Sequence, residues 1–405
     1  MPRDTLTLLL AGGHGSRLHP LTRDRAKPAV PFGGKYRVID FTLSNCLQSG
    51  LRKILVLTQY KSQSLHRHLR DGWSIFNPEC GEFITTVPPQ MRGGDSWYEG
   101  TADAVHQNLY MLERHKGDKA LILAGDHIYR MDYAAMLQFH EETGSDLTIA
   151  CMQVPISEAH AFGVMKTDEN QRILDFKEKP EHPDPLPNDS SVALVSMGIY
   201  VFSMPRLIRA LIEDHEDPNS SHDFGKDIIP RLVESNRVYA YSFGEVRGRV
   251  TPDRYWRDVG TIDAYYEANM DLLEPIPPLN LYQDDWAIRT YHSQNPPARM
   301  VPGKQGEDGL LVNSILGSGA IIMGGIVRHA ILSSRVRVHT NAIIENAIVF
   351  EDVTVGEDVV LRKCIVDKGV NIPTGECIGV DLEHDAKRFT VSEKGIVVVP
   401  RHYQF

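Results

Sequence analysis

The chain has 405 residues, of which 42% are hydrophobic, and it carries a net charge of −10 at pH 7. This length allows two or three domains, and the acidic balance argues against a general nucleic-acid-binding protein. The apolar runs are too short for a membrane-spanning helix or a signal peptide. The five cysteines show no C-x-x-C spacing. This argues against a zinc site or a disulfide framework and favours a reducing cytoplasm.

The chain opens with an apolar run at residues 6–10, followed by a turn rich in glycine, "AGGHGSRL". The run predicts a buried parallel strand, and ligands bind at the carboxyl ends of such strands. The turn matches neither the P-loop nor the three-glycine dinucleotide pattern. Its glycines still allow backbone N–H groups to approach a phosphate, and Arg17 and Lys27 follow closely. The first 70 residues hold twelve Lys and Arg against three Asp, which predicts a local anionic partner such as a polyphosphate.

Up to about residue 275, apolar runs typical of strands alternate with segments of helical spacing, such as residues 102–115 and 262–273. This alternation predicts an α/β fold with a mostly parallel sheet covered by helices. Residues 276–310 are then rich in Pro and Gly, which is typical of a linker or a strap across a domain boundary.

The C-terminal part carries a repeat of 17 residues. Aliphatic residues recur in steps of six, six and five, which predicts a parallel β-helix of hexapeptide repeats with three short sides per coil. Such coils stack on neighbours, so this region is expected to serve assembly rather than catalysis. The predicted columns are Ile315, Leu332, Val349 and Val366, then Ile321, Val338, Val355 and Ile372, then Val327, Ile344, Leu361 and Ile378.

Two aspartates are candidate ligands of a cation. Asp126 ends an apolar strand in "LILAGD", where a parallel sheet places its ligand crevice. Asp258 precedes a predicted helix, where a lone Asp is usually an N-cap. If the two carboxylates meet, they suit Mg²⁺, which prefers one or two carboxylates together with substrate phosphates.

Taken together, the motifs resemble those of the nucleotidyltransferases that make nucleotide sugars, and more closely the bacterial glucose-1-phosphate adenylyltransferases. The resemblance runs from about residue 7 to residue 401 and rests on "AKPAVPFGGKYRVIDF", "LTQY", "WYEGTADAV", "AGDHIYRMDY", "FGVM", "EKP", "SMGIYVF", "SSHDFGKDIIP" and "YWRDVGT". It implies a Rossmann-like catalytic domain at 1–275, a strap at 276–310 and a left-handed β-helix at 311–405, assembled as a homotetramer.

The resemblance also implies a reaction. ATP and α-D-glucose 1-phosphate would give ADP-glucose and pyrophosphate, with Mg²⁺ as cofactor, as the committed step toward glycogen. Catalysis would rest on Arg17, Lys27, Asp126 and Lys179. The nucleotide would contact Gly12, Gly13, Gly15, Arg17 and Gln59, and the metal would lie on Asp126 and Asp258. The glucose 1-phosphate side would comprise Tyr98, Gly163, Glu178, Lys179, Ser196 and Asp223.

The chain departs from the family at positions linked to regulation. His14 stands where well-known members carry Arg, Asp24 where activated members carry a basic residue, and Pro31 where they carry His. The candidate contacts for a small anionic effector are Arg25, Arg37, Lys368 and Arg401. We therefore predict weak or absent activation by fructose 1,6-bisphosphate.

Three alternatives remain at this stage. The first is the same chemistry with UTP or dTTP. The second is a non-catalytic regulatory subunit of the same fold, against which the presence of Arg17, Lys27, Asp126 and Lys179 argues. The third is an acyltransferase, since hexapeptide β-helices often carry that activity. His329 and His339 do not form a convincing cluster for it.

Overall fold

A computed structural model describes residues 2–13, 15–89, 97–245, 248–250 and 254–405. The departure at His14 lies outside these residues. Within them, no helix combines the length and the apolar character needed to cross a membrane. The strands up to residue 258 are β1 (Leu6–Ala11), β2 (Pro31–Phe32), β3 (Tyr36–Arg37), β4 (Lys53–Thr58), β5 (Phe83–Val87), β6 (Lys119–Ala124), β7 (His127–Tyr129), β8 (Leu147–Pro155), β9 (Gly163–Thr167), β10 (Ile173–Glu178), β11 (Val192–Ser203), β12 (Val238–Ser242) and β13 (Trp256–Asp258).

The large sheet is mostly parallel, as the alternating pattern predicts. Its main path runs β10-β9-β11-β6-β1-β4-β5, and β8 joins β11 to β12. Only β10 and β11 oppose the direction of the other strands in this described sheet. The inner strand β1 is almost entirely buried, which explains why all its residues except Thr7 are apolar. The carboxyl ends of β1, β4 and β6 therefore lie along one edge.

Helices cover this sheet and bury their apolar sides on it. In α6, the buried residues Leu207, Ala210, Leu211 and Asp214 recur every three or four positions. This spacing places them on one face of the helix, toward the core. The helices of this part are α1 (Val38–Gln48), α2 (Gln63–Gly72), α3 (Thr101–His106), α4 (Leu109–Glu113), α5 (Tyr133–Glu142), α6 (Met204–His215), α7 (Ile229–Ser235) and α8 (Ile262–Met270), whereas α9 (Leu382–Ala386) lies in the C-terminal part.

The C-terminal part consists of short strands in parallel stacks, the arrangement of a left-handed β-helix of hexapeptide repeats. Its aliphatic side chains face inward and form a separate core. The strands are β14 (Arg299–Val301), β15 (Leu310–Val312), β16 (Ile315–Leu316), β17 (Ile321–Met323), β18 (Ile326–Arg328), β19 (Ile331–Leu332), β20 (Arg337–Val338), β21 (Ile343–Val349), β22 (Thr354–Val355), β23 (Val360–Val366), β24 (Asn371–Ile372), β25 (Cys377–Ile378), β26 (Thr390–Val391) and β27 (Val397–Val399).

The predicted columns are correct from the second coil onward. In the first coil Val327 pairs with Ile344 as predicted, and the other two positions are wrong by one residue. Leu316, not Ile315, pairs with Leu332, and Ile322, not Ile321, pairs with Val338. The cause is a shorter corner after β17, where Gly324 adopts a positive φ of 67°. A strict 17-residue count therefore places both aliphatic residues one position too early.

Candidate functional site

The turn after β1 depends on glycine for its shape. Gly13 and Gly15 have φ angles of 108° and 58°, a region that side chains disfavour. A Cβ on Gly15 would lie 3.0 Å from Cγ2 of Thr22, whose hydroxyl donates a 2.8 Å hydrogen bond to the Gly15 carbonyl. The turn is thus held open at the carboxyl edge of the sheet, with Gly12 packed against the side chain of Gln59.

Lys27 lies between the two predicted metal ligands. Its Nζ is 2.8 Å from Oδ2 of Asp126 and 3.0 Å from Oδ1 of Asp258. Strand pairing explains why residues so distant in sequence meet. Asp258 in β13 stands opposite His127 in β7, and Asp126 directly precedes that strand. The structure therefore places both carboxylates and the lysine in one cluster.

The charges of this cluster stabilise one another. Burial lowers the pKa of Lys27, but the two carboxylates outweigh it, so the pKa lies above its usual value. Burial likewise raises the pKa of Asp126, but Lys27 and His127 outweigh it and hold the pKa far below its usual range. The Asp126 carboxylate is thus available as an anionic ligand at neutral pH.

Arg17 reaches the same cluster from the glycine turn. Its Nη2 lies 3.2 Å from the position that a Cβ on Gly260 would occupy, and the Asp258 carboxylate lies 3.1 Å from that position. A larger residue at 260 would crowd both groups. Arg17 and Lys27 therefore flank Asp258 and concentrate positive charge beside the turn.

Gln59 and Tyr98 form a second group beside the turn. The Gln59 amide donates a 3.1 Å hydrogen bond to the carbonyl of Tyr98, and Asn108 donates one of 3.0 Å to the Tyr98 hydroxyl. These bonds fix the orientation of Gln59 next to Gly12. The structure thus joins two of the predicted nucleotide contacts with one predicted sugar contact.

Glu178 and Lys179 form a third group, at the end of β10. Gly163 stands opposite Glu178 in the sheet. A Cβ on Gly163 or Gly225 would lie 2.9 or 2.6 Å from Oε2 of Glu178, so both glycines make room for that carboxylate. Lys179 has a positive φ of 46°, and its ammonium group lies 3.2 Å from Oε1 of Glu178.

Asp223 and Ser196 complete this third group. Asp223 accepts hydrogen bonds from the backbone of Gly225 at 2.9 Å and from the Thr101 hydroxyl at 3.0 Å. The Ser196 hydroxyl lies 3.5 Å from that of Tyr200. Burial, together with the charges of Glu178 and Asp223, raises the pKa of Tyr200.

The predicted effector residues come together only in part. Arg25 is buried and bonds Asp367 at 2.8 Å, which ties the catalytic part to the β-helix. Arg37 and Lys368 line a pocket of about 650 Å³ between these two parts. Lys368 contacts Glu351 there, at 2.7 Å. Arg401 is not among the residues that line the pocket within the described chain.

Sequence reasoning missed His127. Its Nε2 lies 3.5 Å from Oδ1 of Asp126, and its ring packs against that of Trp256 at 4.8 Å. Together with Asp126 and Asp258 it offers three ligand atoms within 4.8 Å of one another. The sequence feature that could have identified His127 is its position directly after Asp126 in "GDH".

Comparison with known proteins agrees with this arrangement. The family described as "Nucleotidyl transferase" matches residues 6–275, and "GlmU-like, C-terminal hexapeptide" matches residues 296–399. The chain is 61% identical over 403 residues to "Glucose-1-phosphate adenylyltransferase 2" of Vibrio cholerae, covering all of this chain and 99% of that protein. It is 62% identical to the protein of the same name in Vibrio parahaemolyticus, over the whole of both. "Glucose-1-phosphate adenylyltransferase" of Nitrosococcus oceani is 50% identical, over 98% of this chain and 94% of that protein.

Proposed function

Because the chain belongs to the glucose-1-phosphate adenylyltransferase family, it makes ADP-glucose and pyrophosphate from ATP and glucose 1-phosphate for glycogen synthesis, and we propose that it does so in the cleft beside β1. The observation that supports this location best is the contact of Lys27 with Asp126 and Asp258 at 2.8 and 3.0 Å. It unites a cation and two carboxylates at the edge where a parallel sheet binds ligands.

We propose that the glycine turn and the two cations beside it bind the triphosphate. Backbone N–H groups of Gly12, Gly13 and Gly15 would contact phosphate oxygens, since no side chain blocks their approach. Arg17 and Lys27 would neutralise the charge that develops on the leaving pyrophosphate. Gln59, oriented by its bond to the Tyr98 carbonyl, would contact the adenine edge.

Nucleotidyl transferases generally use a divalent metal ion, and we propose Mg²⁺ on Asp126 and Asp258. Two carboxylates that share one ammonium group fit a hard cation with oxygen ligands. When bound, Mg²⁺ would neutralise charge on the transferring phosphate. Lys27 would then move from the carboxylates toward the phosphates, because the metal takes over its partners.

We propose that Lys179 binds the phosphate of glucose 1-phosphate, while Glu178, Ser196, Asp223, Tyr98 and Gly163 surround the sugar. A phosphate oxygen of glucose 1-phosphate attacks the α-phosphorus of ATP, and the bond from that phosphorus to the pyrophosphate oxygen breaks. The side chains that hold two polyanions in line therefore contribute mainly positioning and charge neutralisation. The exposed ammonium group of Lys179 is free to turn from Glu178 toward a ligand.

One assay tests this function and its alternatives. Purified protein is incubated with glucose 1-phosphate, Mg²⁺ and either ATP, UTP, dTTP or GTP, and pyrophosphate release is followed. We expect turnover with ATP far above that with the other nucleotides. Preference for UTP or dTTP would reassign the nucleotide, and no turnover with any of them would indicate a regulatory subunit.

We also propose a homotetramer in the cytoplasm that binds a small anion in the pocket of about 650 Å³. The five cysteines are all free, which suits a reducing compartment. Arg37, Lys368 and also Arg67 give the pocket positive charge, whereas Arg25 is committed to Asp367. Light scattering during size-exclusion chromatography tests the tetramer.

A further inference from the structure

A cluster of histidines and one aspartate lies outside the cleft described above, where α3 meets the end of α6. Asp103, His106 and His215 offer one ligand atom each, and these atoms lie within 4.8 Å of one another. Asp103 and His106 are three positions apart in α3, which places them on one side of that helix. His215 is the last residue of α6.

Two of the three side chains have a ligand atom that makes no hydrogen bond within the described residues. His106 is half-buried at the end of α3. Its Nδ1 is buried and has no hydrogen-bond partner among the described residues. Asp103 is buried. Among the described contacts, its Oδ2 accepts hydrogen bonds from Glu99 and Gln107, which leaves Oδ1 to bind a metal ion.

The two imidazole rings stack, with centroids 3.9 Å apart and planes at 19°. Stacked rings do not direct their nitrogen lone pairs at one point, so one ring has to turn. His215 is exposed at a helix end and can rotate without losing buried contacts. A tetrahedral zinc ion, with bonds of about 2.0–2.1 Å, holds its ligand atoms roughly 3.4 Å apart. Since the three ligand atoms lie within 4.8 Å of one another, they have to approach by at most about 1.4 Å.

We propose that Asp103, His106 and His215 form a second metal site, selective for Zn²⁺-like ions over Mg²⁺. Two imidazoles and one carboxylate are typical ligands of zinc, whereas Mg²⁺ prefers oxygen alone. His222 is not a ligand: its bond to Asp214 at 2.9 Å, more than its burial, raises its pKa and favours the charged form. Its carbonyl accepts a 2.8 Å bond from the backbone of Ala102.

The site lies directly behind the proposed sugar side of the cleft. Thr101, at the start of α3, donates to Asp223, and the loop containing His222 joins α6 to Asp223. An ion that holds α3 against the end of α6 therefore fixes both elements that position Asp223. Bound metal is expected to stabilise this loop, and it does not need to touch substrate.

Co²⁺ titration of the full-length protein in excess Mg²⁺ tests the proposal, because tetrahedral Co²⁺ absorbs visible light and replaces Zn²⁺. We expect one Co²⁺ per chain, displaced by Zn²⁺, with affinity at least about tenfold weaker in His106→Gln and His215→Asn. His182→Asn, which removes an exposed histidine elsewhere, is the matched control and should bind as the parent does.

Asp258→Asn separates this site from the proposed Mg²⁺ site and should leave the Co²⁺ spectrum unchanged. Residue 215 is exposed at a helix end, so His215→Asn is expected to fold. This variant therefore still tests the site if His106→Gln fails to fold. No Co²⁺ absorption in excess Mg²⁺, or absorption that survives His215→Asn and is lost in Asp258→Asn, would overturn the proposal.

Discussion

At the residue scale, short contacts between charged side chains hold the proposed active site together. Lys27 is largely buried and would be costly without a partner, but two carboxylates satisfy it. The same contacts place one ammonium group between the two partly exposed carboxylates. This arrangement explains how a basic turn and two distant aspartates form one site without a bound ligand.

The first residue-scale prediction concerns Asp126. Asp126→Asn removes a charge from the proposed metal site with little change in shape, so kcat should fall by about 100-fold or more. Steady-state kinetics at saturating Mg²⁺ measure this, with circular dichroism to confirm folding. Asp118→Asn, at the exposed opposite end of β6, is the matched control. Unchanged turnover in Asp126→Asn would contradict a metal-binding role.

The second residue-scale prediction concerns Lys179. Lys179→Gln should raise KM for glucose 1-phosphate far more than KM for ATP, because it removes a charge-assisted bond of roughly 2–3 kcal/mol. Initial rates with each substrate varied in turn measure the two constants. Lys177→Gln, which removes a lysine of β10 that pairs with Asp184, is the control. Equal rises in both constants would point to general destabilisation instead.

At the element scale, one buried histidine joins a helix to the sheet. His140 in α5 lies 2.8 Å from the Thr148 hydroxyl in β8. Burial, and then the charge of Lys119, lowers the pKa of His140 to about 4. The unfolded chain, with a pKa of about 6.5, binds more protons between these two values. Folding stability contributed by neutral His140 is therefore present above pH 6.5 and is lost as pH falls toward 4.

We accordingly predict that His140→Gln flattens the acid dependence of stability. The parent should lose roughly 3 kcal/mol between pH 6.5 and 4 through this histidine. Urea unfolding at several pH values measures the change. His160→Gln, an exposed histidine, should keep the parent profile. An identical slope in His140→Gln and the parent would show that other groups carry the dependence.

At the scale of the whole molecule, one buried ion pair joins the catalytic part to the β-helix. Arg25 and Asp367 are 3% and 1% exposed. Removing one partner leaves a buried charge, so Arg25→Met should destabilise the protein by about 3–5 kcal/mol. The double variant Arg25→Met/Asp367→Leu should recover most of this loss. Chemical unfolding measures both, and an unaffected midpoint in Arg25→Met would contradict a structural role.

Regulation also involves the whole molecule, because the pocket lined by Arg37, Arg67 and Lys368 lies between the catalytic part and the β-helix. Asp24 is exposed, while Arg25 beside it is committed to Asp367. We predict weak or absent activation by fructose 1,6-bisphosphate, and stronger activation of Asp24→Lys, which replaces a repulsive charge with an attractive one. Titration at subsaturating ATP measures both proteins. Strong micromolar activation of the parent would mean that other residues supply the charge.

The sequence alone determined the α/β class, the hexapeptide repeat and the residue types of the site, because strand burial and phosphate chemistry leave local patterns. It did not reveal that Lys27 lies between Asp126 and Asp258, since that contact depends on the pairing of β7 with β13. Nor did it reveal that Arg25 forms a buried ion pair with Asp367, or that a short corner at Gly324 shifts the repeat by one residue in the first coil. These outcomes depend on contacts between residues far apart in the chain, which only the tertiary structure decides.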